Sequence, residues 1–213
     1  MINFVDFKRL FQKVAARISR KNSYALNALD LKLLQYINFE YGFFIEVGAN
    51  DGINQSNTLL LEKKLNWNGL LIEAIPSLAE KCAINRPRCI VDNYALVSSI
   101  YTHDYVEMRY CNLMSVVKGG LGSQSEEDSH INSGKKFLKS GEQVYVVVVP
   151  TATLSEVLDK HSISHVDLLS LDVEGYEVQV LEGVDFERHA PEWMLIEVRR
   201  QNEIDRLIGA MYK

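Results

Sequence analysis

Carboxylates that close apolar runs are the residues best placed to do chemistry in this chain. The stretch "FFIEVGANDGINQSNTLLLEKKLNWNGLLIEAIP", from Phe43 to Pro76, ends one apolar run in Glu46 and passes through Gly48-Ala49-Asn50-Asp51-Gly52. It then ends a second run in Glu73. Further on, "VDLLSLD" ends in Asp172, with Glu174 two residues later. An ionised carboxylate accepts two hydroxyls at once, attracts a cationic centre, takes a proton or holds a divalent cation. Glycines between two such acids let the backbone approach a ligand, or simply make a tight turn. A dinucleotide site asks for G-x-G-x-x-G at a helix N-terminus. With Gly48 as its first glycine, Asn50 and Ile53 occupy the other two places, so that fingerprint fails. A ligand with one ribose, no pyrophosphate and a positive centre suits these acids better, and S-adenosylmethionine has that description.

The elements that must position the acids follow from periodicity. From Phe43 onward apolar runs alternate with helical patterns, which predicts a doubly wound α/β fold with a parallel sheet. Strands are expected at Phe43–Val47, Gly69–Glu73, Cys89–Val91, the run ending at Asp172, and Trp193–Val198. Helices are expected from a Ser56 cap to about Leu65, from Pro76, from Ser155 to Lys160, near Gln179, and in the final "NEIDRLIGAMYK". Ligands of such sheets bind beyond the carboxyl ends of the strands where strand order reverses. Glu46, Glu73 and Asp172 should therefore face one crevice.

The ordered set "FIEVGANDG", "SNTLLLEKKLNWNGLLIEAIP", "DNYALVS" and "LLSLDVEGYEVQVLEGVDF" resembles the FkbM-type methyltransferases, over Phe43 to Val198. The resemblance implies the Rossmann-like class I methyltransferase fold and S-adenosylmethionine-dependent O-methyl transfer to hydroxyls of sugars or small metabolites. It places Glu46, Gly48, Ala49, Asn50 and Gly52 in the cofactor loop, with the Glu46 acid meeting the ammonium of the methionine part. Glu73 matches the acid that takes the ribose hydroxyls. Asp92 and Asn93 stand where adenine is read, with an Asx turn as the alternative. Asn57 and Thr58 either point toward the cofactor or serve as ordinary caps. Methyl transfer to an alcohol needs the proton removed or the oxygen held by a metal. Either Asp172 or Glu174 is a candidate general base, or both hold a divalent cation such as magnesium. Glu177 fits the dipole of the next helix equally well. His103 is a candidate substrate-side base, with a polar loop residue as the alternative; His161 and His165 read as loop surface.

Around this domain, expected from residue 41 to 213, lie two further segments. Residues 1–40 predict an N-terminal helical cap. Its first part is a basic amphipathic helix with Phe4, Phe7, Phe11, Val14 and Ile18 on one face, and its second runs through Leu26, Leu29, Leu33 and Ile37. The basic helix suits an anionic membrane surface, a partner, or its own domain. Residues 112–143, glycine- and serine-rich between the strand-like "YVEMRYC" and "VYVVVVP", predict an inserted hairpin with a long mobile connection, a lid over the acceptor site.

The 213 residues are 47% hydrophobic and 24% charged, with a formal charge of −5. That balance predicts a globular chain and argues against nucleic acid as a partner. No apolar stretch approaches the roughly 20 residues of a membrane span, and no signal peptide is evident, so a cytoplasmic location is expected. Cys82, Cys89 and Cys111 form neither a disulfide framework nor a zinc pattern. Class I sheets commonly finish in an antiparallel pair that is missing before Lys213, and an edge left bare there would offer a homodimer contact. The leading reading is an O-methyltransferase acting on a small-molecule or glycan acceptor. An inactive methyltransferase-fold interaction protein and an NAD-dependent oxidoreductase are the alternatives.

Overall fold

A computed structural model describes residues 23–198 together with Ile204, Asp205, Leu207 and Ile208. The basic amphipathic helix expected over residues 4–18 lies outside the described residues. Of the expected final helix, the four residues just named are helical and the rest lies outside.

Among the described residues the first elements are a short 3-10 turn at Leu26–Ala28 and helix α1 (Leu29–Leu33). One continuous helix was expected here. Asn27 and Ala28 instead adopt left-handed backbone at φ 52° and 56°, which breaks it. Strand β1 (Phe43–Val47), helix α2 (Leu59–Leu65), strand β2 (Asn68–Ile72), helix α3 (Pro76–Asn85) and strand β3 (Ile90–Asp92) follow. Next come β4 (Ala95–Leu96), β5 (Tyr105–Tyr110), β6 (Val116–Val117), α4 (Gln124–Gly134) and β7 (Tyr145–Ala152). The chain returns through α5 (Leu154–Lys160), β8 (Leu168–Leu171), α6 (Glu177–Leu181), α7 (Phe186–His189) and β9 (Trp193–Ile196).

The main sheet is parallel, in the order β3-β2-β1-β8-β9. Its central strands are apolar on both faces because helices cover both faces, and β8 is buried along its whole length. Ile45, Val47, Leu70, Ile72, Leu169 and Leu171 join one core cluster with α5 and α6. Phe44, Leu61, Trp67 and Leu71 belong to a second cluster. Strand order reverses at β1, between β2 and β8.

A second sheet, β4-β7-β5-β6, carries the inserted hairpin: β5 and β7 pair antiparallel from Tyr105↔Pro150 to Tyr110↔Tyr145. The connection between them, expected to be long and mobile, is built around a helix that its composition did not predict. It holds α4, capped by Ser123 Oγ accepting from Glu126 N at 3.2 Å. Buried Glu127 anchors α4 to the hairpin, accepting from Arg109 at 2.9 Å and Gly119 N at 2.6 Å. Among the described residues no helix is long and apolar enough to cross a membrane, and all three cysteines are free.

Candidate active site

The site is assembled by register. In a parallel sheet, residues paired across neighbouring strands sit side by side, about 4.8 Å apart. Leu171 of β8 pairs with Val47 of β1 and with Ile196 of β9. The next residues therefore continue the ladder: Asp172 N donates to Val47 O at 3.2 Å, and Glu197 N donates to Leu171 O at 2.9 Å. Asp172 and Glu197 thus emerge as neighbours, and Glu174 joins them, with one carboxylate oxygen from each within 4.8 Å of the others. Burial first, then the hydrogen-bonded Glu197 carboxylate and the charge of Glu174, push the Asp172 carboxyl up to about 9. Glu177 opens helix α6, and its carboxylate accepts from Val173 N at 3.2 Å and Gly175 N at 3.0 Å, folding the turn that presents Glu174.

On the other side, Gly48 has φ +81°, and a Cβ there would lie 1.9 Å from Asp172 O. Only glycine lets β1 turn away this close to the end of β8. Gly48 N and Ala49 N both donate to Ile72 O, at 2.9 and 3.2 Å. Asn50 N then donates to Glu73 Oε2 at 2.7 Å, and Ile75 N to Glu73 Oε1 at 2.8 Å. Burial dominates over these bonds and raises the Glu73 carboxyl to about 7.

A cavity of about 310 Å³ joins the two sides. Gly48, Ala49, Asn50 and Glu73 border one part of it, and Asp172, Glu174 and Glu197 another. Leu113, Met114, Val117 and Phe137 of the insertion add apolar wall, and Leu26 reaches it from the N-terminal segment.

Other expected site residues are placed differently. Glu46 borders the cavity, yet its carboxylate accepts from Ser56 Oγ at 2.8 Å, Asn57 N at 2.7 Å and Thr58 Oγ1 at 2.7 Å, beside the Arg86 guanidinium at 3.7 Å. It anchors the loop instead of presenting itself to a ligand. Thr58 spends its hydroxyl on that bond, and Asn57 Nδ2 donates to Ser170 Oγ at 3.1 Å, so neither borders the cavity. Gly52 packs behind the loop, where a Cβ would meet the Arg86 and Cys82 side chains. Asp92 turns away from the cavity to Lys160 Nζ at 2.9 Å and His161 Nε2 at 2.7 Å. Asn93 Nδ2 donates to the carbonyls of Glu73 and Ala74 at 2.8 and 2.7 Å, and so shapes the β2 end from behind. His103 is exposed and off the cavity wall, with its ring edge-on to Tyr101.

Three residues escaped sequence reasoning. Glu197 carried a signal, since it closes the apolar run "WMLIEV" as Glu46 closes "FFIEV". Arg86 is fully buried, with Glu62 and Gly52 O as partners, and nothing local marks it. His130, brought by α4 to 3.7 Å from Glu174, carried no signal either.

The family model described as "Methyltransferase FkbM domain" matches residues 46–212. The chain belongs to the FkbM methyltransferase family. A search among curated proteins returns no match. Family membership makes this FkbM domain a methyltransferase, and its reversal-point cavity agrees with the rule for doubly wound sheets. It also displaces the oxidoreductase alternative, whose second and third glycines are Asn50 and Ile53.

Proposed function

We propose that this chain transfers a methyl group from S-adenosylmethionine to a hydroxyl of a sugar, glycan or small metabolite. The observation that carries the reading is one cavity joining Glu73 to the trio Asp172, Glu174 and Glu197. S-adenosylmethionine, when bound, supplies a methyl group on a cationic sulfur. The donor set fits it: a buried carboxylate for ribose hydroxyls at one end, and a concentration of negative charge for the sulfonium side. The backbone at Gly48–Asn50 is free of bulky side chains where the ligand must approach closely.

The acids divide the remaining work. Asp172, pushed up to about 9, keeps its proton at neutral pH and shares it with the Glu197 carboxylate, which fixes the wall of the site beside Glu174. Glu174 takes the proton released by the acceptor hydroxyl as the new C–O bond forms. General-base catalysis of this kind contributes roughly 10²- to 10⁴-fold. The test is methyl transfer from labelled S-adenosylmethionine to a panel of sugars and polyols, with Glu174→Gln as the variant. Turnover reduced about 10²- to 10⁴-fold at unchanged cofactor affinity supports the assignment. A folded chain with no affinity for S-adenosylmethionine overturns it.

The closeness of three carboxylate oxygens favours one second reading, in which the trio holds a divalent cation such as magnesium that fixes the acceptor oxygen. Transfer that survives a chelator excludes it.

A further inference from the structure

We propose that His130, carried by the insertion helix α4, is the positioning residue for Glu174; the functional consequence rests on the methyl-transfer reading above. His130 is buried at 7% exposure. Its Nε2 lies 3.1 Å from Met114 O, and a carbonyl can only accept, so Nε2 carries the hydrogen. The same nitrogen lies 3.7 Å from Glu174 Oε2. That hydrogen is committed to Met114 O, so the ring meets Glu174 Oε2 through the field of its polarised Nε2 edge and not through a second hydrogen bond.

Two features of Glu174 call for such a partner. Its backbone is left-handed at φ 58°, followed by Gly175 at φ 101°. A non-glycine residue holds that conformation only where its surroundings determine it. It also shares a space of 4.8 Å with the carboxyl groups of Asp172 and Glu197, and the Glu197 carboxylate repels it. The polarised imidazole edge 3.7 Å from Glu174 Oε2 offsets part of that repulsion.

The platform is firm. Glu127, one turn before His130, is tied to Arg109 and Gly119 N. Ile131 packs with Cys111 and Val116, and Gly134 lies so close to Met114 that a Cβ would meet its side chain at 2.5 Å. The insertion thus reaches into the site with a chosen nitrogen as well as covering it.

The test uses the full chain and needs no acceptor. His130→Leu removes the donor, whereas His130→Gln keeps an N–H at a similar reach. Backbone hydrogen exchange over residues 173–176 should quicken about tenfold in His130→Leu, as a protecting contact is lost. It should return toward the parent rate in His130→Gln and quicken likewise in Glu174→Gln. The nitrogen-15 spectrum of the histidines should show an Nε2–H imidazole whose resonance moves in Glu174→Gln. Unchanged exchange at 173–176 in His130→Leu, or an imidazole resonance indifferent to Glu174→Gln, overturns the proposal. If His130→Leu does not fold, Glu174→Gln and the imidazole resonance decide. Failure of S-adenosylmethionine to bind the parent chain would sink the methyl-transfer reading alone, since exchange and resonance are read without it.

Discussion

The pH dependence of cofactor affinity should report Glu73 directly. A carboxylate accepts two ribose hydroxyls only when ionised, and burial holds this one near 7 in the free protein. The ionised fraction is then about one part in eleven at pH 6 and ten parts in eleven at pH 8. Apparent affinity scales with the competent fraction. Binding of S-adenosylmethionine should therefore be about tenfold weaker at pH 6 than at pH 8, and at pH 6 it should release close to one proton. The sign is fixed by the ligand favouring the charged form, so affinity rises with pH through 7 and levels above it. Calorimetric titration at both pH values, in buffers of different ionisation enthalpy, measures affinity and proton release together. Glu73→Gln is the comparison: weaker binding throughout, without the step that belongs to this carboxyl. A parent chain and a Glu73→Gln variant with the same pH dependence would refute the assignment of Glu73 to the ribose.

Three further outcomes are expected. Gly48→Ala should destabilise the fold by about 3 kcal/mol in urea unfolding, combining a left-handed backbone penalty with a Cβ driven against Asp172 O; a change below about 0.5 kcal/mol would contradict the packing described. Arg86→Met leaves buried Glu46 and Glu62 without their cation, and should cost about 3–5 kcal/mol by the same measurement. Asp172 is raised well above its unfolded value, so its contribution to stability is complete at acid pH and fades as pH rises toward 9. Asp172→Asn should accordingly flatten the decline in melting temperature between about pH 4 and about pH 9 while lowering methyl transfer, and an unchanged decline would show that the carboxyl is not strained.

The parallel core was legible because burial on both faces writes itself as continuous apolar runs, and Phe43–Val47 and Leu168–Leu171 are such runs. Pro76 marked the start of α3 through its own chemistry. The helix within residues 112–143 was not legible, for the converse reason. Helix α4 is mostly polar, with Ile131 as its one large aliphatic, so its inward face carried little periodic signal. It is held by burial of Glu127 and by Ser123 at its cap. Asp92 closes β3 and Asn57 and Thr58 precede α2, but the direction of a side chain depends on partners such as Lys160 and Ser170 that are distant in sequence.

The sequence by itself determined that acids would stand at the carboxyl ends of parallel strands with a glycine turn between two of them. That follows from periodicity and backbone freedom, which are local. Only the tertiary structure decided which of those acids turn their carboxyl groups to the cavity. Strand order set Glu197 beside Asp172, Arg86 and the Ser56–Thr58 turn took Glu46 out of reach, and an insertion helix brought His130 to Glu174. Each of these is a contact between residues on different elements, and it is fixed by packing that no local pattern records.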